Sequence, residues 1–237
     1  MKKKRRIPAA ALAAAVLVVV LAGTALAVEY LGKVKIELLD GFAGQSGKWY
    51  SASMEGGRVP ADSLSEDVWE AFASADETGD LRLTFDSRTE AETFLGLDLA
   101  NNALLERMPK GLVSYHLDDQ TAIQSPCAME VTYSSGQIPA VISVRSHYRE
   151  EGSACYVIEF IEFATDVVSE EFELGIRSRM WDNGDFQEYV TPNGIEATIY
   201  SETGICHAYF VKNNMFYDVG VYNSDVDTLK EILDAYE

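Results

Sequence analysis

The chain has 237 residues, with 19 Lys and Arg against 38 Asp and Glu, a formal net charge of −19 at pH 7. Nucleic acid and anionic lipid surfaces repel so acidic a protein at long range, which excludes nucleic acid as a partner. The 210 residues after Ala27, rich in Val, Ile, Leu, Phe and Tyr, suffice for one sizeable core.

The chain opens with the five cations Lys2 to Arg6 and then runs apolar from Ile7 to Val28. Those 22 residues match the ~20 needed to cross a bilayer. The basic end stays cytoplasmic, because cations flanking a span resist transfer, and everything after Val28 is then exported. Two outcomes fit the segment. Its length suits a retained anchor through residues 7–28, whereas the shorter core Ala9 to Ala22 and the ending Ala25-Leu26-Ala27 suit a signal peptide cleaved after Ala27. No cysteine stands near the end of the run, so a lipoprotein anchor is not expected. The organisation predicted is a basic cytoplasmic end and anchor (or signal peptide) over 1–28 and an extracytoplasmic domain over 29–237. Five of the 19 cations and none of the 38 acids lie in residues 1–27, which leaves 14 against 38, a formal −24 for the exported part.

Lys33 to Leu38 alternates polar and apolar, and Lys48 to Ser53 follows a glycine-rich gap from Gly41 to Gly47, which reads as a hairpin. A helix comes next, with Ser63 and Glu66 as a capping box and Leu64, Val68, Phe72 and Ala75 on one face, ended by Asp76 to Asp80. Leu81, Leu83 and Phe85 make a short strand. Ser87, boxed with Glu90, starts a second helix that buries Ala91, Phe94 and Leu95 and stops at Gly96. These elements form a helical lobe at 58–110, with Met108 to Gly111 as its linker to a β-meander plus C-terminal helix at 111–237. In that second part Met129, Val131 and Tyr133 alternate before a Ser135-Gly136 turn, and Ala140, Ile142 and Val144 share a face. Cys155 to Phe163 is apolar on both faces apart from Glu159 and Glu162, as a central strand should be. Asn183-Gly184 and Asn193-Gly194 predict type I′ hairpin turns. Strands around 195–200, 205–211 and 215–221 precede a helix with Ser224 as N-cap and Val226, Leu229, Leu233 and Tyr236 inward. The fold class predicted is α+β: a large antiparallel β-meander sheet with covering helices, preceded by one N-terminal transmembrane or signal helix.

No motif here carries catalytic chemistry. Gly41 to Trp49 lacks the spacing of a phosphate loop, since Phe42 stands where a glycine is needed and Trp49 replaces the magnesium-binding hydroxyl. Gly44 to Gly47 misses a nucleophile elbow by one residue. Asp182-Asn183-Gly184-Asp185 offers oxygen ligands for calcium but no distant bidentate glutamate, so it reads as a hairpin turn. Cys127, Cys155 and Cys206 match no zinc spacing and are odd in number, which allows one disulfide but no framework; Cys155 and Cys206 sit in strand-like runs. His116, His147 and His207 are scattered, and His207 alternates with Ile205 and Tyr209 as a half-buried packing residue. Glu159, a carboxylate among Val157, Ile161 and Phe163, calls for a cross-strand partner in Arg145 or Arg149. No catalytic, cofactor or metal residue is therefore assigned, and no cofactor is expected.

Ser87 to Leu97, followed by Asn102 to Leu105, resembles a segment of exported domains in membrane-bound regulators of Gram-positive bacteria. The tail, Gly194 to Ala197 through Ala208 to Phe210, Met215 to Tyr217 and Leu229 to Leu233, looks like the same uncharacterised domain, which often forms the extracytoplasmic C-terminus of anti-sigma factors. The match spans about residues 80–237. What it implies is a sensor or binding domain, without catalytic residues. Such a factor holds its sigma partner through a cytoplasmic domain, and the six residues Met1 to Arg6 are too few to fold into one. The function expected is a non-enzymatic, membrane-tethered extracytoplasmic sensor or binding module that lacks a sigma-binding domain and recognises a protein, a wall fragment or a lipid-like ligand. The alternative is a secreted or anchored hydrolase of cell-wall or glycan substrates, its acidic pair hidden among the 38 carboxylates. An open aromatic groove would favour binding, and two carboxyls about 5–9 Å apart would favour glycoside hydrolysis.

Overall fold

A computed structural model of the chain describes residues 34–55, 57–74, 81–108, 127–133, 139–149, 153–167, 173–181 and 183–237. The predicted anchor at 7–28, the helix end at 75–80, the linker from Pro109 and the Ser135-Gly136 turn lie outside these residues. Among the described residues no helix is long and apolar enough to cross a membrane.

The molecule is α+β, built in three layers. The middle layer is a nine-stranded sheet. Its first run comprises β4 (Leu81–Phe85), β5 (Cys127–Tyr133), β6 (Pro139–Arg149) and β7 (Tyr156–Thr165), in sequence order. The second comprises β9 (Asp185–Val190), β10 (Glu196–Glu202), β11 (Ile205–Lys212) and β12 (Met215–Tyr222). The predicted meander is thus split into two antiparallel runs that meet where β12 pairs with β7, Val219 opposite Glu159. The short strand β3 (Arg58–Val59) adds to the end of β7 in parallel, Val59 opposite Thr165.

The split has a cause that sequence reading missed. Strand β8 (Glu173–Arg179) leaves the large sheet and pairs instead with β2 (Gln45–Glu55), which itself pairs with β1 (Lys35–Phe42). This three-stranded sheet is the outer layer on one side. Its hairpin forms as predicted, but the turn is only Ala43-Gly44, at φ 50° and 78°, because Phe42 pairs with Gln45 and Gly41 (φ 91°) absorbs a bulge. The Asn183-Gly184 segment is therefore no hairpin. It turns the chain from the small sheet to the far edge of the large one, and Gly184 has no positive φ. Asn193-Gly194 does join paired strands, through the loop Thr191–Ile195, with only Gly194 at positive φ. Asn213-Asn214 (φ 53° and 61°), between β11 and β12, has both central residues left-handed, as Ala43-Gly44 does.

Four α-helices cover the opposite face among the described residues. The first, α1 (Glu66–Ser74), begins one turn of 3-10 helix later than predicted: Ser63 lies in that turn, and Ser65 Oγ accepts from Val68 N at 3.3 Å. Ser65 also donates its hydroxyl to Phe94 O and its N–H to Leu95 O at 2.8 Å, which ties α1 to the end of α2 (Arg88–Leu95). Ser87 caps α2 as predicted, accepting from Glu90 N at 3.1 Å, while Glu90 reaches back to Asp86 N; Gly96 ends the helix at φ 72°. The short α3 (Ala103–Arg107) follows. The last helix, α4 (Val226–Asp234), is capped by Asp225 rather than Ser224, through Thr228 N at 3.0 Å.

Two cores result. Val68, Leu95, Leu105, Leu229, Leu233 and Tyr236 pack on Met129, Val144, Ile161, Phe163, Phe210 and Val219, so helices and large sheet share one continuous interior. On the other face Tyr50, Ala52, Met54 and Leu174 of the small sheet pack on Ala164, Tyr200, Tyr209 and Phe216. Covering on both sides explains why β12 is buried from Met215 to Val221, since water reaches neither of its faces.

Candidate functional site

The small sheet does not cover the whole face it packs on. Strand β6 alternates: Ile142, Val144, Ser146 and Tyr148 are buried, the apolar three in the helix-side core. Arg145, His147 and Arg149 consequently point the other way. The same parity sends Val157, Glu159 and Ile161 of β7 to the helices and Tyr156, Ile158, Phe160 and Glu162 to the small-sheet side. Beyond the edge of β8 a groove of about 310 Å³ remains open, lined by Arg145, His147, Ile158, Phe160, Asp218, Tyr222 and Ile176 of β8.

Register builds the groove in rows. Arg145 lies opposite Phe160, which lies opposite Asp218, and His147, Ile158 and Gly220 form the next row. Arg145 is exposed and holds its guanidinium 5.6 Å from the centroid of Phe160. Among the described residues no carboxylate pairs with it. Tyr156 and Tyr222 stack at 4.6 Å with an interplanar angle of 7°, a flat aromatic wall at one end. Burial and the neighbouring Arg145 push the His147 pKa down to about 4, so this buried imidazole is neutral at pH 7.

At the groove's base His207 Nδ1 lies 2.7 Å from Asp218 Oδ1, and Tyr222 Oη lies 3.3 Å from His207 Nε2. Burial disfavours the imidazolium, but the Asp218 charge outweighs it and holds the His207 pKa above the ordinary value. When protonated, His207 donates from both nitrogens, to Asp218 and to the Tyr222 hydroxyl oxygen. Gly220 makes the arrangement possible: a Cβ there would come within 2.8 Å of His207 Cε1. His207 also stacks on Tyr209 (6.0 Å, 17°), whose hydroxyl meets Tyr50 of the small sheet at 2.6 Å. The His–Asp pair resembles the orienting half of a nucleophile-activating triad, yet its outer nitrogen faces a tyrosine hydroxyl instead of a serine or thiol. The arrangement braces the base of the groove.

The other residues singled out in the sequence lie elsewhere. Glu159 is fully buried on the helix side, and neither Arg145 nor Arg149 reaches it. Its cross-strand neighbour is Ser146, and one step along β6 sends both arginines to the opposite face. Arg88 of α2 supplies the cation at 3.5 Å, with hydroxyls from Tyr148 at 3.2 Å and Tyr236 at 2.6 Å. Arg149 donates from Nε to Ser153 O. None of the three cysteines is disulfide-bonded; Cys127 and Cys206 are buried in the helix-side core, and Cys155 stands just before β7 rather than within it. His116 and Asp182 lie outside the described residues. Asn183 donates to Thr203 Oγ1 at 2.7 Å, and Asp185 accepts from the Phe186 N–H, a local turn network. Among the described residues no group of three His, Cys, Asp or Glu could hold a metal ion.

Sequence reading did not single out Phe160, Tyr222 or Asp218. The alternation of β6 was a usable signal: Arg145, His147 and Arg149 interleaved with Val144, Ser146 and Tyr148 mark a second face, and residues opposite them follow. Comparison with family models, curated proteins and solved structures finds no match to this chain.

Proposed function

We propose that the protein is a non-enzymatic, membrane-tethered extracytoplasmic binding module whose ligand lies in the groove between β6, β7, β12 and β8. The observation that supports this best is the composition of the groove: an aromatic and aliphatic lining, an arginine with no carboxylate partner among the described residues, and one carboxylate, Asp218, already engaged by His207. A glycosidase places two carboxyl groups about 5–9 Å apart across the scissile bond, and the lining residues supply one. The hydrolase reading is accordingly the weaker.

The ligand favoured carries a flat or apolar body for Tyr156, Tyr222 and Phe160 and an anionic group for Arg145, as a wall fragment or a lipid-like molecule does. Residues 7–28 tether the domain in a single pass with the N-terminus cytoplasmic; release after Ala27 would instead secrete it. The resemblance of residues 80–237 to anti-sigma ectodomains favours a sensory role.

The test is titration of the full chain in nanodiscs with peptidoglycan fragments bearing free carboxylates, against a neutral oligosaccharide. The expected outcome is saturable binding of the anionic fragments, recovered with unchanged mass. Arg145→Ala should weaken binding about 10–100-fold, the worth of one charge-assisted hydrogen bond. Turnover of a fragment that disappears in Asp218→Asn would overturn the non-enzymatic reading.

A further inference from the structure

The outward face of the small sheet carries chemistry that the groove does not use. Pairing puts Trp49 opposite Arg179, Ser51 opposite Arg177 and Leu39 opposite Trp49, all on the side away from the large sheet, because Tyr50, Ala52 and Met54 point inward. At the turn end of this face Phe42 packs against Trp49, ring centroids 5.6 Å apart. The Arg177 guanidinium lies 5.3 Å from the Phe42 centroid, and that of Arg179 lies 4.8 Å from Trp181. Trp181 is 51 % exposed. Arg177 leans toward Glu173 only at 3.8 Å and is half exposed, while Arg179 has no carboxylate partner among the described residues. Register puts Lys35, Glu37 and Glu173 on the same side, Lys35 paired with Glu37 at 2.8 Å, so what sets this face apart in a chain with twice as many acids as bases is its three aromatic rings with two arginines beside them.

Position says what meets it. Residues 29–33 alone separate the apolar run from Val34, the residue before β1, so Val34 lies within about 20 Å of the end of that run. The aromatic end of β1 is eight residues further on. We propose that this face rests on the outer leaflet of the membrane, tryptophan rings at headgroup depth and arginines on lipid phosphates. Tryptophan and arginine are the side chains that favour this interface, because each joins an apolar body to a polar end. The tether supplies the local concentration that the domain's overall negative charge would otherwise deny it. The inference rests on residues 7–28 being a retained anchor.

The chain has three tryptophans, and the third, Trp69, sits on α1 in the opposite layer, edge-on to Phe72. Reconstitute the full chain in phosphatidylcholine vesicles with brominated acyl chains and read tryptophan fluorescence. Trp69→Phe, which keeps the two face tryptophans, should lose most of its emission to the brominated lipid, and Trp49→Phe with Trp181→Phe should keep most of it. Arg177→Glu with Arg179→Glu should relieve the quenching. If the double tryptophan variant loses its cooperative melt, Trp69→Phe against the unaltered chain gives the comparison, the quenched fraction rising when Trp69 is removed. A chain that floats with the vesicles but shows no quenching overturns the proposal and leaves the anchor intact. A chain that does not float overturns the anchor reading, and this inference with it. Self-association in detergent that is lost with Arg179→Glu, with Trp181 unquenched in vesicles, assigns the face to a second copy and also overturns it.

Discussion

Glu159 and Glu162 stand three residues apart on β7, so they face opposite layers and meet opposite fates. Glu159 enters the helix-side core and is paid back by a cation and two hydroxyls. Glu162 enters the small-sheet side with one partner, the Gly175 N–H at 2.6 Å, and burial outweighs that bond and lifts its pKa to about 7. Sequence marked both residues as anomalies in an apolar strand, and strand parity alone could have told that Arg145 and Arg149 were on the wrong face for Glu159. It could not supply Arg88, which lies 71 positions earlier on a helix. The Glu162 shift has a measurable sign. Its folded pKa is raised, so it contributes stability below the ordinary carboxylate pKa and loses it as pH rises through about 7. Glu162→Gln, neutral at every pH and still able to accept from Gly175, should match the parent at pH 4. At pH 8 it should be the more stable by up to about 3 kcal/mol, read by urea unfolding. Equal stability differences at the two pH values would show that Glu162 is not protonated in the fold.

At the scale of elements, periodicity gave helices and strands more faithfully than it gave their ends. Capping shifted by one or two residues in α1 and α4, because several hydroxyl and carboxylate residues compete there and the winner is the one whose neighbours already hold it. Ser65 wins over Ser63 since the α2 carbonyls of Phe94 and Leu95 receive its hydroxyl and N–H. Turn type was less legible still, as Asn-Gly at 183–184 serves a crossover. The helix α4 is the element whose role was clearest, and Leu229, Leu233 and Tyr236 are fully buried, with Tyr236 edge-on to Phe210 at 5.1 Å. Each such side chain gains roughly 1.5–3 kcal/mol on burial, so Leu229→Asp together with Leu233→Asp should abolish the cooperative melt. A variant that keeps its melting temperature would make α4 a detachable handle. Strand β8 was missed altogether: only its partner β2, about 120 positions earlier, turns Glu173–Arg179 into a strand.

For the whole molecule, the first prediction concerns residues 7–28. Fractionated cells should retain the chain in the membrane with the acidic domain protease-accessible from outside; a soluble product whose N-terminal residue is Val28 would show that the alanine site is cleaved. The sequence by itself determined the α+β class, the large antiparallel sheet and the amphipathic helices, because these depend on periodicities of two and 3.6 residues that are written locally. It also marked β7 as apolar on both faces, which calls for cover on each. Only the tertiary structure decided what covers them: helices on one side, and on the other a three-stranded sheet closed by β8. That choice left Arg145, His147, Phe160, Asp218 and Tyr222 together in an open groove. Those residues come from three strands separated by tens of positions, and no local signal joins them. Their meeting is a consequence of register and of where the small sheet stops, quantities fixed by packing between layers rather than by any one segment.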